Sequence, residues 1–318
     1  MKESQKSILE HLPQFMEYLD IEKGLSHNSQ TTYNRLINKF ESWLRDSKLT
    51  TLLPHELTSE HIWQYRVYLS KIYNKNSHQP LKRASINYYL IVLRNLLNYF
   101  ADRDIIALPA EKVKLFPEKR EKSIKFLNLE QIEKLLDAPD ISNPSGLRDK
   151  AILEVLFSTG LRVAELISLN RNQIKIENLN EDLEINIIGK GNKIRPVYLS
   201  PRALKVIKDY LETRKDDDKA LFIHYKGPTS KNHRLTTRSV ENIVRKYVIK
   251  ANISIQASPH TIRHSFATDL LMQGVDIRIV QEFLGHQNIA TTQIYAHVTN
   301  RKLKDIHQKF HGRRKIKE

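Results

Sequence analysis

SPHTIRHSFATDLLMQGVDIRIVQEFLGHQNIATTQIYAHV, residues 258–298, reads as three helices set off by caps and glycines. Ser258 can cap the first helix, Pro259 suits its first turn and Gly274 can end it. Asp276 can cap DIRIVQEFL, and Gly285 can end that helix in turn. His286 then lies just past a helix end, and IATTQIYAHV starts a third helix with Tyr295 about two turns in. The three-residue spacing of His260 and Arg263 places both on one helical face, with Phe266 and Leu270 supplying an apolar face. His264 is expected to point elsewhere, as a structural residue. A histidine beside an arginine makes a poor metal site, because the cation repels a metal, and a good phosphate site.

Upstream, LEINIIGKGNKIRPVYLS (183–200) alternates apolar and polar residues on both sides of Gly189-Lys190-Gly191-Asn192, which predicts a β-hairpin with Lys190 at its tip. Lys193 and Arg195 follow on the same ribbon and are expected to contact backbone phosphates. Arg162 follows Thr159-Gly160 at the start of the helix LRVAELISLN, where exposed N–H groups and the helix dipole favour anions. Its guanidinium adds a fork matched to phosphate oxygens. GLRDKAILEVLFSTG predicts a buried helix ending at Gly160, and LNLEQIEKLLDAP a short one before it. Taken alone, a surface arginine, a charged hairpin tip or a core tyrosine is ordinary; the six residues become informative by standing together in this order.

Residues 6–118 read as four helices. Ile8, Leu9, Leu12, Phe15, Met16 and Leu19 recur at helical spacing, as do Tyr33, Leu36, Ile37, Phe40 and Leu44. Thr58 can cap TSEHIWQYRVYLSKIY, and RASINYYLIVLRNLLNYFADRD is strongly apolar. Tyr33, Trp43, Trp63, Tyr65, Tyr88, Tyr89 and Tyr99 are expected to pack in the core. The segment around Pro117 is charged and aperiodic, which suits a linker. The expected organisation is a helical domain over 1–116, a linker over 117–126 and a second, mostly helical domain over 127–318.

The chain has no cysteine, which removes disulfides, thiol catalysis and cysteine-ligated zinc. No run reaches the roughly 18 apolar residues needed to span a bilayer. The N-terminus lacks the apolar core of a signal peptide, so a cytoplasmic location is expected. The net charge is +16, a surplus that suits a polyanionic partner. Residues 1–118 carry 16 Lys/Arg against 13 Asp/Glu, and the remainder carries 36 against 23. Most of the excess therefore sits on the segment with the candidate chemistry.

Arg162, Lys190, His260, Arg263, His286 and Tyr295, in this order, resemble the motif of the tyrosine recombinases, the phage-integrase family of site-specific DNA strand-transfer enzymes. The resemblance covers nearly the whole chain, is strongest over 145–300, and by length is to the Xer-like subgroup. It implies a mainly α fold: an N-terminal SAM-like core-binding bundle and a mostly helical catalytic domain with a small sheet, closing as a C-shaped clamp on DNA. It also implies roles. Arg162 and Arg263 would hold the non-bridging oxygens of the scissile phosphate. Tyr295 would attack phosphorus and become 3′-phosphotyrosine-linked. Lys190 would protonate the leaving 5′-oxygen, His260 would accept the phenol proton, and His286 would be a further phosphate ligand. The physics agrees: a phenol with a pKa near 10 is about 0.1% ionised at pH 7 and needs a base or cations beside it, and an alkoxide leaves badly unless protonated. Cationic groups can replace nuclease metals, so no cofactor and no metal is expected.

The partners implied are double-stranded DNA and other recombinase protomers, in a homo-tetramer or a hetero-tetramer on two sites, with an accessory activator as an option. Dimer resolution of chromosomes or plasmids is the expected role; a mobile-element integrase shares the mechanism. A helix-turn-helix regulator built on residues 276–298 and a type IB topoisomerase are the rivals from other classes. Beyond Tyr295, Leu303, Ile306 and Phe310 form one narrow apolar stripe on a charged helix, which the resemblance assigns to a neighbouring protomer.

Overall fold

A computed structural model of the chain describes residues 1–73, 78–117, 125–189, 193–225, 233–286 and 288–293. Lys190, Tyr295 and the expected helix over 301–318 lie outside the described residues. The chain falls into two compact units, Met1–Lys122 and Ser123–Glu318.

The first unit is built from α1 (Ile8–Ile21), α2 (His27–Asp46), α3 (Ser59–Ser70) and α4 (Arg83–Asp102). Local signals start the helices. The Ser7 hydroxyl accepts from the Glu10 amide at 3.3 Å while the Glu10 carboxylate accepts from the Ser7 amide at 2.7 Å, a closed capping box. Thr58 caps α3. Ile8, Leu12, Phe15 and Leu19 of α1 share one core with Ile37, Phe40 and Leu44 of α2 and Leu90, Leu93, Leu97 and Phe100 of α4. Each such side chain contributes about 1.5–3 kcal/mol by leaving water. Asn87 grips the end of the unit, donating to the Phe116 carbonyl at 3.0 Å and accepting from its amide at 2.8 Å.

Two expectations fail in this unit. Helix α3 stops at Ser70 instead of running to Tyr73. Trp63 and Tyr88 are 59% and 64% exposed, so they are surface residues and not core. The buried set of α3 is Ile62, Tyr65 and Leu69; Trp63 stands about 100° round the helix from Ile62 and faces outward.

The second unit is organised around α6 (Pro144–Thr159), whose residues Ala151–Leu156 are all buried. Packed on it are α5 (Leu129–Asp137), α8 (Pro201–Glu212), α9 (Thr237–Lys250) and α10 (Pro259–Gln273). The short α7 (Val163–Ser168) leads to β1 (Leu183–Ile188) and β2 (Ile194–Leu199), an antiparallel hairpin in register from Leu183↔Leu199 to Ile188↔Ile194. Its inward residues Ile185, Ile187, Val197 and Leu199 join the main core. A separate cluster of Ala267, Leu271, Val280 and Leu284 holds α10 against α11 (Ile277–Leu284), and α12 (Ala290–Gln293) follows. Near the start of the unit, the Leu127 amide donates to the Ser265 hydroxyl of α10 at 2.8 Å. The mainly α architecture with one small sheet is as the sequence predicts.

Candidate active site

Three helix ends meet at the site. Helix α6 stops at Gly160, whose φ of 60° is left-handed, and α11 stops at Gly285, also at 60°. A side chain at either position would be strained; a Cβ on Gly160 would stand 2.5 Å from the Phe266 ring. The third end is the start of α7, where Arg162 is the N-cap. These terminations turn the Gly160 and Leu284 carbonyls toward Arg263, which rises from α10 and is 2% exposed. Arg263 donates through Nη1 to Gly160 O at 2.7 Å and through Nη2 to Leu284 O at 2.5 Å. Cationic groups suit helix C-termini for this reason.

The same Nη2 lies 3.0 Å from His286 Nε2. Arg162 reaches in from the other side, its Nη2 donating to the Gly285 carbonyl at 3.2 Å. His286 is fixed by its backbone as well: its amide donates to Gln281 O at 3.1 Å, and the Gln281 side chain donates back to its carbonyl at 2.9 Å. Four of the six residues singled out by the sequence, Arg162, His260, Arg263 and His286, thus come from three separate segments, the start of α7, α10 and the turn after α11, to one place. Lys190 and Tyr295 lie outside the described residues, although Gly189, next to Lys190, has Arg195 and Glu165 within 4 Å of the position a Cβ would take.

The carboxylate of Glu165 organises the arginines. It accepts from the Arg162 amide at 2.9 Å and from Arg162 Nη1 at 3.0 Å, and takes both Nη1 (3.0 Å) and Nη2 (2.8 Å) of Arg195. Arg195 also donates to the Phe283 carbonyl at 3.3 Å. This corrects two expectations. Arg195 is half-buried and committed to a bidentate ion pair with Glu165, not free on the ribbon to contact a backbone phosphate. The start of α7 already holds an anion, the protein's own Glu165. The clue in the sequence was an acid embedded in the apolar run LRVAELISL, which needs a cationic partner if buried. Burial pushes the Glu165 carboxyl up, but hydrogen bonds from Arg195 and the Arg162 backbone outweigh it and hold the group below its ordinary range.

The histidines are not cations here. Burial first, then Arg263 and Arg162, lower the pKa of His260. The same causes, with His260 and His264, take His286 down to about 4. His260 keeps an exposed edge, yet its ring rests on His264 with centroids 4.1 Å apart. His264 therefore backs the site and does not point away from it, and its own pKa falls to about 4, mainly through burial. Fixed positive charge comes from the arginines, while neutral imidazoles remain available to take or give protons. Among the described residues no group of three His, Cys, Asp or Glu is placed to hold a metal, and no helix is long and apolar enough to cross a membrane.

A cluster of arginines and neutral histidines, carried on a mainly helical second unit, is a chemistry matched to phosphate oxygens. The chain belongs to the phage integrase family: the model of that family matches residues 125–302, and the model of its N-terminal SAM-like domain matches residues 12–104. It is a tyrosine-type site-specific DNA recombinase. Its curated relatives are Xer tyrosine recombinases. XerD of Lacticaseibacillus casei is 33% identical, covering 94% of this chain and 97% of its own length. XerD of Listeria innocua serovar 6a is 35% identical with the same coverage, and XerC of Natranaerobius thermophilus 34% identical with the same coverage. Of solved structures, the XerH site-specific recombinase bound to palindromic difH substrate in a post-cleavage complex superposes with a TM-score of 0.68 at 22% identity, covering 97% of this chain and 91% of that one. That last likeness concerns the fold.

Proposed function

We propose that the chain cuts and rejoins double-stranded DNA through a 3′-phosphotyrosine intermediate on Tyr295. Arg162 and Arg263 hold the non-bridging oxygens of the scissile phosphate. His260, neutral at physiological pH, accepts the phenol proton, His286 is a further phosphate ligand, and Lys190 protonates the leaving 5′-oxygen. The observation that carries the reading is the convergence of Arg162, Arg263, His260 and His286 from three segments onto one site. Two guanidinium groups can stabilise charge developing on a phosphorane without reorganising. The phosphotyrosine bond retains the energy of the phosphodiester, so rejoining needs no nucleotide cofactor.

In this reading residues 1–116 are the core-binding domain, 117–126 the linker and 127–318 the catalytic domain. The active assembly is a tetramer on two DNA sites, either of this chain alone or with a second recombinase, and an accessory activator is compatible with it. The work is cytoplasmic resolution of chromosome or plasmid dimers, in keeping with the Xer relatives. Incubation with host genomic DNA, followed by detergent and sequencing of the attached ends, tests the reaction and finds the site. Tyr295→Phe should bind DNA as the wild type does and give no detergent-resistant adduct; an adduct from that variant would remove Tyr295 from the role of nucleophile.

A further inference from the structure

Thr292 has no part in the roles above, yet it is fully buried, with 0% exposure, while its neighbour Thr291 is exposed. Its hydroxyl lies 2.9 Å from His286 Nδ1. The opposite ring nitrogen, Nε2, lies 3.0 Å from Arg263 Nη2. A guanidinium has five donors and no acceptor, so Nε2 carries the lone pair. The ring proton then sits on Nδ1 and is donated to the Thr292 oxygen. His286 is a neutral imidazole in the one tautomer that presents no N–H toward Arg263.

That state is wrong for holding an anion. A phosphate oxygen approaching Nε2 would meet a lone pair. His286 can serve as a phosphate ligand only with a proton on Nε2. One route is the imidazolium, which burial and the neighbouring Arg263, Arg162, His260 and His264 oppose. The other is exchange of tautomer through solvent: a water molecule gives a proton to Nε2, the hydroxide left behind takes the proton released from Nδ1, and the water is restored with net charge unchanged. The group facing Nδ1 must then turn from acceptor to donor. A backbone carbonyl or a carboxylate cannot do so; a hydroxyl can, by rotating about its C–O bond.

We propose that Thr292 is the positioning residue that lets His286 change tautomer: its hydroxyl accepts from Nδ1–H when the pocket is empty and donates to Nδ1 when phosphate draws the ring proton to Nε2. Thr292 lies on α12, three residues before Tyr295 in the chain, so the contact also joins His286 to the segment that leads to the nucleophile. The proposal rests on the assignment of His286 as a phosphate ligand.

The test uses the full chain with Thr292→Val, which keeps the shape and removes the hydroxyl, and Thr292→Ser, which keeps the hydroxyl. Nitrogen-15 NMR of the DNA-free protein reads the tautomer directly. Wild type and Thr292→Ser should show His286 protonated at Nδ1. On DNA fragments recovered with the trapped protein, Thr292→Val should form adduct about tenfold more slowly, as expected for losing one buried hydrogen bond. Thr292→Ser should stay within about threefold of wild type by the same reasoning. In a His286→Gln background, Thr292→Val should add no further loss. Protonation of wild-type His286 at Nε2 in the empty protein would overturn the proposal. So would wild-type rates in Thr292→Val, or a Thr292→Val defect that persists undiminished without His286. Should Thr292→Val melt early, Thr292→Ser and the wild-type spectrum still decide. An adduct formed by Tyr295→Phe would instead overturn the assignment of the nucleophile, with the tautomer measurement still judging Thr292.

Discussion

Glu165→Gln keeps the shape of one side chain and removes the charge that two arginines share. Oε1 of Glu165 accepts from Arg162 Nη1 and Arg195 Nη1, both at 3.0 Å; Oε2 accepts from the Arg162 amide at 2.9 Å and from Arg195 Nη2 at 2.8 Å. Whichever way a glutamine amide turns, its NH2 faces two donors, so two of the four bonds become donor–donor contacts. Bonds to charged groups are worth about 1.5–3 kcal/mol each. The Arg162 side chain is 35% exposed and can turn to water, whereas that of Arg195 is 11% exposed and cannot. The cost is therefore near the lower end of the range for breaking a buried pair, about 3 kcal/mol. In a domain of this size that lowers the melting temperature by roughly 6–12 °C, read by calorimetry or circular dichroism. Adding Arg195→Met to Glu165→Gln should recover part of the loss, because it removes the stranded cation. The ordinary pKa of this carboxyl is 4.5, and its folded value lies lower. Its contribution is full above about pH 4.5 and disappears as pH falls through the folded value. The stability gap between wild type and variant should narrow on acidification below that point. A melting shift under about 2 °C at pH 7, or a gap that widens in acid, would refute the reasoning.

Three further outcomes are expected. Lys190→Ala should slow cleavage by about 10²–10⁴-fold, the usual worth of a general acid, and a 5′-bridging phosphorothiolate should restore most of the rate because sulfur leaves unprotonated; an equal defect on both substrates would exclude the role. Gly160→Ala should cost about 2–4 kcal/mol in urea unfolding, from left-handed backbone strain and the Phe266 contact together, and a loss under about 1 kcal/mol would mean that the turn adapts. Deleting residues 301–318 should leave binding to a half-site nearly intact and abolish cooperative occupancy of the full site in gel-shift titration; unchanged cooperativity would assign the segment to its own domain.

The helices of both units were legible from spacing and caps: Ser258, Asp276, Gly274 and Gly285 do what their side chains, or lack of one, suggest. Arg162, His260, Arg263 and His286 could be picked out because their order along the chain is itself the signal. The pairing of Arg195 could not, since its partner Glu165 lies 30 residues away and an arginine on a hairpin looks the same whether paired or exposed. Aromatic character alone puts Trp63 and Tyr88 in the core; helical phase, counted from Ile62 or Leu90, turns both outward. His264 stands four residues after His260, a spacing that puts both on one helical face, so its packing against the His260 ring was legible in the sequence.

Arg263 has a consequence for when the protein can be made. A guanidinium that is 2% exposed would be a heavy burden on an empty fold if it waited for a phosphate to balance it. It does not wait: the Gly160 and Leu284 carbonyls solvate it in the interior. The second unit can therefore reach its folded state with this cation already solvated and no nucleic acid present, so folding and substrate capture become separate events.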